Sequence, residues 1–151
     1  MEDDFQKIND NLLKELFTQY PKMAKEVMEQ DMCDIDGDFL GFVDIYYHLS
    51  KIIPKDWTII DFGCAYAPQA YYFRNHKKYI GVDVSDCKKF TFKNSEYITS
   101  SIEDYNCVDT TRLFAICSYV PADRDKLRKC YRNLFVYYPS VDSPTIKKKN
   151  T

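Results

Sequence analysis

A chain of 151 residues has the size of one ordinary domain, long enough to bury a core and with little left over for a second. Apolar residues at 45% and charged residues at 29% are globular usage, whereas 16% aromatic, with 13 Tyr and 10 Phe, is high and suits half-buried faces that need an apolar body and a wet tip. A formal charge of -2 gives no general field for phosphates, which disfavours non-specific nucleic-acid binding, and no apolar run approaches the about 20 residues of a membrane span.

From Asp4 to about Glu29, Phe5, Ile8, Leu12, Leu13, Leu16, Phe17 and Tyr20 recur at helical spacing and predict a helix with one buried stripe, broken or restarted at Pro21. Residues 31–38, DMCDIDGD, resemble a calcium loop, but setting Gly37 on the loop's glycine puts Met32 and Val43 where carboxylates are required. An acidic turn capping the next helix is expected instead. That helix runs from Phe39 to Ile53 and stops at Pro54.

After Lys55 the texture changes to short apolar runs. Thr58 to Phe62, Lys78 to Val84, Glu96 to Ser100, Leu113 to Tyr119 and Asn133 to Tyr138 predict five strands, with helices at Pro68 to Asn75 and Asp123 to Asn133. Strands alternating with helices imply crossovers and a mostly parallel sheet covered on both faces. The polar Ser85 to Ser95 link has room for a turn of helix, and the end of the chain, PSVDSPTIKKKNT, reads as a tail.

The cysteines at 33, 64, 87, 107, 117 and 130 form no C-x-x-C pair, and the start MEDDFQKIND is acidic where a signal peptide is basic and then apolar. Both point to a reduced cytoplasmic protein. His48 and His76 are the only imidazoles and neither lies near a cysteine pair, so no metal site is expected. As bases they compete with ordinary surface or helix roles, and the lysines at 77, 78, 88, 89 and 93 read as a solvated face, or as a small basic patch for an acidic partner.

The informative stretch is Trp57 to Ala70, a buried strand entering a turn of small residues and then a helix opened by Pro68. Small residues let a ligand approach the backbone amides at the carboxyl end of the strand. Twenty residues after Gly63 stands Asp83, the spacing at which a carboxylate accepts both ribose hydroxyls of a nucleoside. Alone, such an aspartate would sooner be read as capping the following turn; paired with the small-residue turn, the ribose role is favoured.

Residues 61–67, DFGCAYA, and 81–85, GVDVS, resemble motif I and the acidic loop of the class I S-adenosylmethionine-dependent methyltransferases. The segment 97–105, YITSSIEDY, is similar to the one whose acidic residue contacts adenine, and 113–121, LFAICSYVP, to the fourth strand and its substrate-facing loop. The resemblance covers about residues 57 to 139. It departs from the family at Ala65 and Ala67, which replace two turn glycines, and at Ser101, which replaces the adenine-binding acid unless Glu103 or Asp104 serves in a shifted register.

The resemblance implies a Rossmann-like, doubly wound α/β fold with N-terminal helices and a five-stranded, mostly parallel sheet lacking the family's C-terminal strand hairpin. It implies an N-terminal helical segment at 1–55 packing on the core, a truncated methyltransferase-like core at 56–139 and a flexible tail at 140–151. S-adenosylmethionine is the implied cofactor, with Asp61, Gly63, Ala65, Ala67, Asp83, Ser101, Ile102 and Cys117 around it. On the substrate side it implies Cys117, Ser118 and Tyr119, with Tyr66 and Tyr71 near the turn. For these the competing role is packing at a buried strand end. No Asn-Pro-Pro-Tyr-like motif is present, which argues against DNA and amide acceptors and leaves a small molecule or a protein. Two other readings stay open: a non-catalytic scaffold for protein interaction, and another nucleotide-binding domain such as a dinucleotide reader. The fifth strand, as an edge, would expose unpaired backbone beside aromatic side chains, so a homodimer through it, or cover by the tail, is expected.

Overall fold

A computed structural model describes residues 2–27, 41–102, 104–105, 111–117 and 124–136. The acidic turn at 31–38, the tail at 140–151, Ser118 and Tyr119 lie outside the described residues, as does any strand after residue 136. Two compact units divide the chain, one spanning Met1–Leu49 and the other Ser50–Tyr138.

In the first unit, α1 (Glu2–Gln19) and α2 (Pro21–Val27) abut at Pro21, which opens α2, where a missing N–H costs nothing. Leu12 and Leu16 of the expected stripe are buried, joined by Asn9, Ala24 and Val27, while Phe17 turns outward at 40% exposure. The third helix, α3 (Gly41–Ile52), ends just before Pro54, as expected.

The second unit is a five-stranded sheet of β1 (Thr58–Phe62), β2 (Lys78–Asp83), β3 (Ser95–Thr99), β4 (Leu113–Cys117) and β5 (Leu134–Val136). Every pairing is parallel and the spatial order is β3-β2-β1-β4-β5, so the winding reverses between β1 and β4. This is the α/β Rossmann-like arrangement, whose ligands sit outside the carboxyl ends of the strands at that reversal.

Alternation along the strands sorts the side chains into two layers. One face carries Ile60, Phe62, Val82, Leu113, Ala115 and Cys117 and packs against Leu127 of α4 (Arg124–Cys130) and Tyr131. The other carries Ile59, Asp61, Tyr79 and Gly81, which are buried, and Tyr97, which is half-buried. Phe73 stacks on Tyr79 there, with ring centroids 5.8 Å apart.

Two expected crossovers differ. The helix after β1 is a 3-10 helix, Pro68–Phe73, held by i to i+3 bonds such as Ala70 N–H to the Ala67 carbonyl and Arg74 N–H to the Tyr71 carbonyl. Between β2 and β3 no helix forms. Lys89, expected on a solvated face, is only 7% exposed, and its ammonium donates to the Ser85 and Cys87 carbonyls at 3.1 and 2.9 Å, tying that loop without helical bonds.

Candidate functional site

After Phe62 the chain bends through residues 63–67, with positive φ at Gly63 (80°), Ala65 (51°) and Ala67 (60°). Glycine adopts this backbone freely, whereas a left-handed alanine costs about 1–2 kcal/mol. Hydrogen bonds hold the bend: Gly63 N–H donates to the Val82 carbonyl at 2.7 Å and Ala67 N–H to the Cys64 carbonyl at 2.9 Å. The strained Ala65 donates its N–H to Asp83 Oδ2 at 2.9 Å. Asp83 Oδ1 accepts from Ser85 N–H at 2.9 Å, so the carboxylate links the ends of β1 and β2.

Asp61 is buried completely, at 0% exposure, on the layer below the bend. Its Oδ2 accepts from Gln69 Nε2 at 2.8 Å and from the Tyr79 hydroxyl. Gln69 Nε2 also lies 3.1 Å from the Cys64 carbonyl, so Asp61 holds the bend from beneath through Gln69. Nothing in the sequence motif singled out Gln69; the one signal was an amide within the otherwise apolar run PQAYYF.

Gly63, Ala65 and Asp83 thus come together at the carboxyl ends of β1 and β2, with Ala65 exposed and the Ala67 methyl turned inward at 0% exposure. Ser101 follows β3 at the same end, its hydroxyl accepting from Asp104 N–H at 3.1 Å. Ile102 and Cys117 go elsewhere: both pack into the opposite layer with Phe62 and Val82, Cys117 at 0% exposure. Tyr71 is buried against Phe92, ring centroids 5.7 Å apart.

Electrostatics leave the site's thiol inert. Burial, with Asp61 and Asp83 alongside, pushes the Cys64 thiol well above its ordinary value of 9.0, so it stays protonated and is no nucleophile at neutral pH. Burial also raises the Tyr97 phenol, which remains a donor to the Phe90 carbonyl.

His76 sits far from this chemistry, two residues before β2, at the amino ends of the strands. Its Nε2 lies 3.0 Å from the Ile53 carbonyl and therefore carries the hydrogen, leaving Nδ1 a buried acceptor without a donor. Burial lowers its pKa below 6.5, against the carbonyl, which raises it, and with Lys55 adding to the lowering. The unfolded chain therefore takes up the proton first as pH falls: the contribution to stability is complete above 6.5 and is lost below it. Thermal unfolding at about pH 7.5 and about pH 5.5 checks this. His76→Phe should flatten the fall in midpoint, and an unchanged slope would exclude His76 as its source.

No family model matches the chain, and no curated protein matches it either. Among solved structures the chain is similar to a proposed type II methyltransferase from Anaeromyxobacter dehalogenans, at 17% identity and a TM-score of 0.48. The likeness covers 60% of this chain and 43% of that one, so this chain spans less than half of that protein's length. No helix among the described residues is long and apolar enough to cross a membrane.

Proposed function

We propose that the bend at residues 63–67 and the carboxylate of Asp83 hold S-adenosylmethionine, and that the chain is a methyltransferase-like protein acting on a small molecule or a protein in a reducing, cytoplasmic setting. The observation that carries this reading is the Asp83 carboxylate fixed against the Ala65 N–H, beside the reversal point of a parallel sheet.

The residues fit a nucleoside. A carboxylate offers about four lone-pair sites. Two are engaged by the Ala65 and Ser85 N–H groups, which leaves acceptors for two ribose hydroxyls. Of the alanines standing in place of glycine, Ala67 is buried completely, so only Ala65 can add a methyl on the exposed side of the bend. Ser101 offers a hydroxyl to the adenine and Asp61 acts on the site through Gln69; Ile102 and Cys117, packed into the opposite layer, are not among the groups proposed to hold the ligand.

When bound, the sulfonium supplies an electrophilic methyl group for in-line displacement. The chain's own task is alignment and exclusion of water. Calorimetric titration with S-adenosylmethionine and its demethylated product is expected to give micromolar binding, weakened at least about tenfold in Asp83→Asn, which keeps an acceptor for Ala65 N–H but loses the paired one. Silence at millimolar ligand would overturn the reading.

A non-catalytic scaffold is the second reading, favoured by the burial of Cys117, which withdraws from a substrate the one thiol at the end of β4. Cofactor binding without methyl transfer to any acceptor would select it; a thermal shift with dinucleotides alone would select another nucleotide ligand. β5 stands at one end of the sheet with all three residues half-buried, and we propose that a second copy pairs along it. Light scattering is expected to give twice the chain mass; a monomer with rapid amide exchange along β5 would exclude this.

A further inference from the structure

At the other end of the sheet lies a cavity of about 380 Å³ that the nucleoside reading does not use, on the face carrying Ile60 and Phe62. Three cations, Lys77, Lys78 and Arg112, line it together with the hydroxyl-bearing Thr58, Thr111 and Tyr105. Ile80 and Leu113 supply an apolar wall. The parallel register explains the clustering: Thr58 is paired with both Lys78 and Leu113, so the starts of β1, β2 and β4 fall side by side.

Arg112 carries the strongest signal. It is left-handed, with φ 53°, and its carbonyl accepts the Thr58 N–H at 2.9 Å as the chain enters β4. Glycine would adopt that backbone freely and asparagine could support it locally; arginine does neither. A strained residue whose side chain lines a cationic cavity is a site candidate on physical grounds.

Two of the cations are already paired, Lys78 with Glu96 at 2.6 Å and Arg112 with Asp56 at 3.1 Å. Both pairs are about half exposed or more, so they contribute little and exchange partners readily. Lys77 makes no ion pair among the described residues, so its ammonium adds a third cation to the described lining.

We propose that this cavity binds a phosphomonoester with a compact apolar or aromatic body. A dianion matches the three cations, the planar guanidinium suits paired phosphate oxygens, the hydroxyls complete the oxygen contacts, and Ile80 with Leu113 covers the body. A volume of about 380 Å³ lies at the small end of ligand pockets. The site is separate from the Asp83 end and stands without it.

The test is calorimetric titration of the full chain at low salt with phenyl phosphate, inorganic phosphate and phenol. Phenyl phosphate is expected to bind with a sub-millimolar Kd that weakens as salt rises, inorganic phosphate several-fold more weakly, and phenol not measurably. Lys77→Ala and Arg112→Gly should each weaken phenyl phosphate about tenfold. Arg112→Gly relieves the left-handed strain and should melt no lower than the parent, which separates lost binding from lost folding. Asp83→Asn should bind phenyl phosphate as the parent does. No saturation at about 10 mM, an unchanged Kd in Arg112→Gly, inorganic phosphate binding as tightly as phenyl phosphate, or loss of binding in Asp83→Asn would each overturn the proposal.

Discussion

Gly81→Ala is expected to destabilise the fold by about 3 kcal/mol, read as a lower urea midpoint at unchanged slope. A Cβ at position 81 would stand 2.7 and 2.9 Å from Cδ1 and Cε1 of Tyr97 and 2.8 Å from Cys64 Sγ, closer than real carbon contacts come. Retreat is blocked on the tyrosine side. Its hydroxyl donates to the Phe90 carbonyl and its ring meets Tyr79 edge-on, centroids 6.3 Å apart. On the other side the displaced atom belongs to the bend itself, so strain at Gly81 passes into residues 63–67. Cofactor affinity should fall with stability, and Cys64→Ala in the same chain should restore about 1 kcal/mol by removing one of the two obstacles. A midpoint identical to the parent's would mean that ring and thiol yield freely, and that glycine here is incidental.

Asp61→Ala should cost about 3–5 kcal/mol, because it strips a buried acceptor from two donors at once. The Tyr79 hydroxyl and Gln69 Nε2 both converge on Asp61 Oδ2 in a layer closed to water. Asp61→Asn, of the same shape and still an acceptor, should cost about 1–2 kcal/mol. Pairing Asp61→Leu with Tyr79→Phe should be milder than Asp61→Ala, since one of the two donors disappears with the acceptor. Equal destabilisation in all three variants would show that lost volume dominates and the hydrogen bonds contribute little. Because Gln69 also reaches the Cys64 carbonyl, Asp61→Asn is expected to weaken binding of the proposed cofactor several-fold while the chain remains folded, the mark of a positioning residue.

The five strands were legible because each is a short run of β-branched and aromatic residues bounded by polar or turn residues, a local property. Among the described residues, their observed ends differ from expectation by one residue at β2, at β3 and at the start of β5. The bend was legible for a similar reason: small residues at 63, 65 and 67 mark the positions where φ is positive. The link between β2 and β3 was legible as holding at most a turn of helix; the burial of Lys89 was not, because it reads as a solvated lysine until the loop carbonyls that capture it are known.

Local pattern by itself determined the elements, the parallel class of the sheet and the pairing of a small-residue bend with an acidic strand end. Tertiary structure alone decided that Asp61 is a buried anchor served by Gln69 and Tyr79, that Cys117 and Ile102 face the core, and that Arg112 meets Lys77 and Lys78 across a cavity. The physical reason is that alternation along a strand separates two sets of side chains without saying what covers either. That depends on strand order and on partners far along the chain: Tyr79 lies 18 residues from Asp61, and Arg112 lies 56 from Asp56.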